Sequence, residues 1–165
     1  MTTGADIVAD ARRYLGVRYK VNGRDRDGFD CVGLIVIVGN DFGLNWQRDT
    51  PELDPRAGVD WQNVNTELRE FGFKEIPLGE QQIGDVMVHR LPLGGAATIK
   101  IVSGLGGLSS FFGVSKFINF REPTFLEESG LTLADMIDIK RELKMNMQDY
   151  VRRLWRFFRF PFVQS

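Results

Sequence analysis

The chain has 165 residues, 43% of them hydrophobic and 26% charged, with 21 Lys and Arg against 22 Asp and Glu. That is one domain's worth of ordinary globular composition, and a net charge of -1 sets up no global field that would select nucleic acid or an anionic membrane. One cysteine and one histidine exclude an internal disulfide framework and the usual zinc constellations, so neither metal nor cofactor is expected.

The first residues, Met1 to Asp6, lack the positive start and apolar core of a signal peptide, and no apolar run is long enough to span a membrane. The expectation is a protein made in the cytoplasm without membrane insertion. Ile7, Val8, Ala11, Tyr14 and Leu15 then fall on one helical face, with Thr3 as N-cap and Gly16 as stop. A polar, turn-rich link from Asn22 to Gly28 leads to Phe29-Asp30-Cys31-Val32-Gly33-Leu34 and an apolar run to Val38. Asp30 is a good N-cap, which puts Cys31 in the first turn of a helix fading by Gly39 and Asn40 and buried on nearly all sides. There the dipole and free amides favour a thiolate, although a lone cysteine in an apolar run is also common as an inert core residue.

Residues 45–58, with Pro51 and Pro55, read as a long surface connection. A third helix follows, capped by Asp60, with Trp61, Val64, Leu68 and Phe71 on one face and Gly72 as its stop. From Phe73 the period changes to that of strands: 73–76, 85–90 and 98–103, the last two joined by a hairpin centred between Leu93 and Gly94. The cluster Gly104-Leu105-Gly106-Gly107 has no following Lys-Ser/Thr, so it is a turn rather than a phosphate loop. An apolar run from Leu108 to Phe120 precedes an apparent insertion, 121–146, where Thr132 to Asp135 resembles a capping box and favours a helix through about Lys144, with an edge strand over Met136 to Leu143 as the alternative. Asn146 with Asp149 suggests a short helix through Trp155 before the last strand. The interleaving of Arg152, Arg153, Arg156 and Arg159 with Trp155, Phe157, Phe158 and Phe160 is a combination that could stack on nucleic acid, but it reads better as a helix end and strand, with arginines solvated and aromatics in the core.

The order of a short helix ending in Leu15-Gly16, Tyr19, a loop and Asp30-Cys31-Val32-Gly33-Leu34 resembles the NlpC-type cell-wall peptidases. The likeness resumes at Ile83-Gly84-Asp85-Val86-Met87-Val88 and at the closing Phe158-Arg159-Phe160-Pro161, an ending most similar to the branch carried in phage tails and gene transfer particles. It covers about residues 5–118 and 147–163. The resemblance implies an α+β, papain-like fold: a single domain of N-terminal helices packed on an antiparallel, partly barrel-like sheet. It also implies an activity, cleavage of peptidoglycan stem peptides by a Cys and His dyad, with Cys31 as nucleophile.

Such chemistry needs a base to take the thiol proton and return it to the leaving amine. Matched to the family, Thr98 stands where the histidine should open its strand, and Phe112 occupies the second polar position. A positioned general base contributes on the order of 10²–10⁴-fold, and a cysteine at its free pKa is only a few per cent thiolate at neutral pH, so a degenerate, inactive peptidase is expected. The single histidine, His89, keeps an alternative open. It and Thr98 are equidistant from the hairpin midpoint, and directly paired residues share a face, which would allow a relocated imidazole. Tyr19 either flanks the site, as in the family, or packs the first helix on the second.

The favoured reading is a structural or assembly component of a phage or phage-like tail, in its tip or hub region, incorporated into the particle with other tail proteins as partners. The alternative is an active peptidoglycan endopeptidase or amidase using Cys31 with His89.

Overall fold

In a computed structural model of the chain, the described residues are 1–20, 22–46, 59–77, 79–90, 96–103, 107–110, 125–128 and 155–164. Thr3 caps α1 (Gly4–Arg12) through a reciprocal box: its hydroxyl accepts the Asp6 N–H at 3.2 Å, and the Asp6 carboxylate accepts the Thr3 N–H at 2.8 Å. Ile7, Val8 and Ala11 form the buried face of α1. A short hairpin, β1 (Arg24–Asp25) and β2 (Gly28–Phe29), leads into α2 (Cys31–Asp41), which starts where the sequence places it.

α2 is poor in intrinsic helix propensity. Its middle, Ile35 to Val38, is a β-branched run, and each of its two glycines costs about 1 kcal/mol relative to alanine. Packing holds it instead, since every residue from Cys31 to Gly39 is buried. Gly33 is required by close approach: a Cβ there would come within 2.2 Å of the Gly23 carbonyl oxygen and 2.9 Å of the Phe29 Cβ. The hairpin therefore lies directly on the first turn of α2.

β3 (Val59–Asp60) runs into α3 (Trp61–Glu70), capped by Asp60 as expected and burying Val64 and Leu68. The remaining strands are β4 (Lys74–Ile76), β5 (Val86–Arg90), β6 (Ala96–Val102), β7 (Gly107–Ser110), β8 (Phe125–Glu128) and β9 (Trp155–Arg159). They form an antiparallel sheet in the order β4-β9-β5-β6-β7-β8, with β3 also paired to β6. The architecture is α+β as expected. No pairing among the described residues closes the sheet into the partly barrel-like form expected of it. The core lies between the sheet face that presents Val86, Val88, Ile99, Ile101 and Phe158 and the apolar surface of α2. Among the described residues no helix is long and apolar enough to cross a membrane.

Four expectations need correction. Trp46, read as the start of a surface connection, is 3% exposed and stacks on Phe71 with ring centroids 4.4 Å apart. Its N–H is taken by the Asn40 side chain and its indole N–H by Glu67 at 3.3 Å, so aromatic packing recruits it into the core. Arg159, read as solvated, is 4% exposed; its guanidinium forms a two-pronged pair with Asp85, each contact 2.9 Å, and reaches the Glu80 carbonyl at 3.3 Å. Within the apparent insertion, Phe125–Glu128 is a strand paired with β7. Trp155, read as the end of a helix, lies in β9. The helix expected over 132–144, the rest of the one from Asn146, and the turns at 91–95 and 104–106 lie outside the described residues.

The Asp85 and Arg159 pair joins the Gly84-Asp85 turn to the last strand across 74 residues of chain, and Asp85 also accepts the Gln82 N–H at 2.8 Å. Removing one partner of a buried pair leaves an uncompensated charge. Arg159→Met is expected to lower the unfolding free energy by about 3–5 kcal/mol, read by urea denaturation. A loss below about 1 kcal/mol, the level of an exposed pair, would contradict this role.

Candidate active site

The start of α2 is built on Asp30. Its carboxylate is 1% exposed and accepts the Gly33 N–H at 2.7 Å, as an N-cap should. The same carboxylate accepts the Asn22 N–H and an Arg24 guanidinium N–H, each at 2.9 Å. A carboxylate this deeply buried needs such donors, because an unpaired one would be expensive to desolvate. One side chain thus holds the helix start and the hairpin together.

Cys31 is the first residue of α2 and is 7% exposed. Burial pushes its thiol up to about 12, and the Asp30 charge pushes in the same direction. The backbone N–H groups of Val32, Ile99 and Cys31 itself act the other way, but they do not win. The helix start expected to favour a thiolate is present. Desolvation outweighs it, and the sulfur is a thiol at neutral pH.

The pairing shows where that sulfur lies. Val102 donates its N–H to Asp85 on the β5 side of β6, at 2.9 Å. Alternate residues of an antiparallel strand direct their amides to alternate edges, so Ile99 presents its N–H on the edge away from β5. On that edge β6 pairs with β3 at Ala97 and with β7 from Ile101, and the Cys31 sulfur faces the interval between them.

Tyr19 is half-buried and forms a bridge to Phe29; its phenol is pushed above the ordinary value by burial, then by the neighbouring Cys31 and Asp30 side chains, both of which disfavour a phenolate. The aromatic ring packed edge-on against Phe29 is Tyr14, at 6.1 Å. His89 pairs with Thr98 in the expected register. Strand alternation sends it, with Met87, to the face opposite Val88, whereas Val88 is buried in the same core as Cys31. Burial, and secondarily the Lys100 charge, lowers its imidazole to about 4. The structure therefore gathers Tyr19, Asp30, Arg24 and the Ile99 amide around Cys31 and carries His89 on the next strand, facing the other way. Thr98 contributes its backbone to β6, and Phe112 falls outside the described residues. Among the described residues no three His, Cys, Asp or Glu side chains cluster as a metal site.

Sequence reasoning missed Arg24 and the Ile99 amide. Arg24 sits six residues from Asp30 in a turn-rich link, a spacing with no regular periodicity to mark it.

No protein-family model matches the sequence, and no curated protein matches it either. Among solved structures, the chain is similar to the crystal structure of the NlpC/p60 domain of the peptidoglycan hydrolase SagA. The two are 24% identical over 66% of this chain and 80% of that one, with a TM-score of 0.43.

A buried thiol of this kind reacts slowly. Native protein is expected to alkylate at Cys31 with iodoacetamide more slowly than a free thiol, with no rate inflection near neutral pH, and to reach the free-thiol rate once unfolded in urea. Native reactivity above that of a free thiol would contradict the burial described above.

Proposed function

We propose that the chain is a structural or assembly component of a phage or phage-like tail, built on a degenerate NlpC-type peptidase fold that no longer performs the cleavage. The observation that carries the loss of chemistry is the burial of Cys31, which is 7% exposed and whose thiol is pushed up to about 12. A nucleophile needs the thiolate and a base able to take its proton. An imidazole lowered to about 4 is too weak a base for so weak an acid. The placement in a tail is supported by the resemblance of the Asp30-Cys31-Val32-Gly33-Leu34 and Phe158-Arg159-Phe160-Pro161 segments to the phage branch of the family. The partners on this reading are other tip or hub proteins, and the location is the assembled particle.

The competing reading is an active peptidoglycan endopeptidase or amidase using Cys31 with His89. Purified protein incubated with muropeptides is expected to leave them uncleaved, and the Cys31→Ala variant is expected to co-purify with tail tip proteins as the parent chain does. Cleavage that Cys31→Ala abolishes would overturn the proposal.

A further inference from the structure

The far end of α2 holds a second cluster. Asp41 is the last residue of α2, and Asp10 lies in the last turn of α1, with the two carboxyl groups in hydrogen-bond reach of each other. Both sit at helix C-termini, where the dipole already disfavours negative charge. Asp10 is 8% exposed; its Oδ1 accepts from Arg13 at 2.9 Å, while its Oδ2 is buried and has no hydrogen-bond donor. Asp41 accepts the Tyr14 O–H, and the Arg26 guanidinium lies 5.6 Å from the centre of the Tyr14 ring. The charged and titratable groups around Asp10 are thus Arg13 and Tyr14 from the end of α1, Asp41 from α2, and Arg26 from the β1–β2 turn. Two acceptors in contact, one of them an orphaned buried oxygen, lack a hydrogen between them.

We propose that the orphaned Oδ2 of Asp10 holds a proton in mild acid and donates it to the Asp41 carboxylate, which closes an O–H···O bond between α1 and α2 and makes their contact a pH-sensitive latch. Loss of that proton sets two carboxylates against each other. Burial, and then the Asp41 hydrogen bond and charge, raise Asp10 to about 6, against the opposing pull of Arg13. A carboxyl raised in the folded state contributes stability that is complete below its ordinary value of about 4 and is lost as pH rises through about 6. The latch therefore holds in mild acid and loosens towards neutral pH. α1 continues through the Tyr14 turn to Tyr19, beside Cys31, so the latch also sets how firmly that segment lies on α2.

Carbon-detected NMR titration of the Asp10 carboxyl in the whole chain tests this directly. The expected midpoint is near 6, falling towards the ordinary value in Asp41→Asn, whose side-chain amide supplies the missing donor. Asp41 is exposed, so this variant folds without a core change. It should also melt about 2–4 °C above the parent chain near neutral pH and lose that advantage in mild acid. An ordinary midpoint in the parent chain, or one that Asp41→Asn leaves unchanged, would overturn the proposal. So would a midpoint moved by added calcium, which would make the pair a cation site.

Discussion

A single carboxylate at the start of α2 decides much of what surrounds it. Asp30 accepts from Gly33, Asn22 and Arg24 while almost completely buried, so the helix cap and the closure of the 22–29 loop are one interaction. Gly33 has no room for a Cβ because that loop lies on the helix. Tyr19 and the edge of β6 then lie beside the Cys31 sulfur, which is 7% exposed.

Two opposing effects act on that sulfur, and their sizes differ. A helix terminus and a few amides favour the anion by about 0.3–1 kcal/mol at ordinary sites, whereas burying an uncompensated charge costs several kcal/mol. Reactive cysteines escape this by sitting partly exposed beside a cation or an imidazolium. Cys31 has Asp30 beside it, an anion, and Arg24 already committed to that anion. Cys31 therefore combines a helix start with a neighbouring anion that opposes the thiolate.

Local signals were the legible ones. Thr3, Asp30 and Asp60 are side chains that bond backbone within three residues, and all three caps could be read from spacing. The His89 and Thr98 register followed from counting outward from one hairpin midpoint. The misses are long-range. Trp46 is buried by rings at Phe71 and Phe73, and Arg159 by a carboxylate 74 residues away. Neither contact leaves a periodic trace. The thiol's suppression lies between these cases: the apolar composition of α2 marked it as buried on nearly all sides, and the same burial governs its first residue.

The central physical claim is that burial, rather than the helix start, governs Cys31. Ultraviolet absorbance of the thiolate, followed with pH on the native chain against a Cys31→Ala blank, measures this most directly. Burial predicts no thiolate signal through neutral pH, its appearance coming only near pH 12 or with alkaline unfolding. A titration centred near or below the free-cysteine value of about 8.5 would contradict it and return Cys31 to the role of a nucleophile.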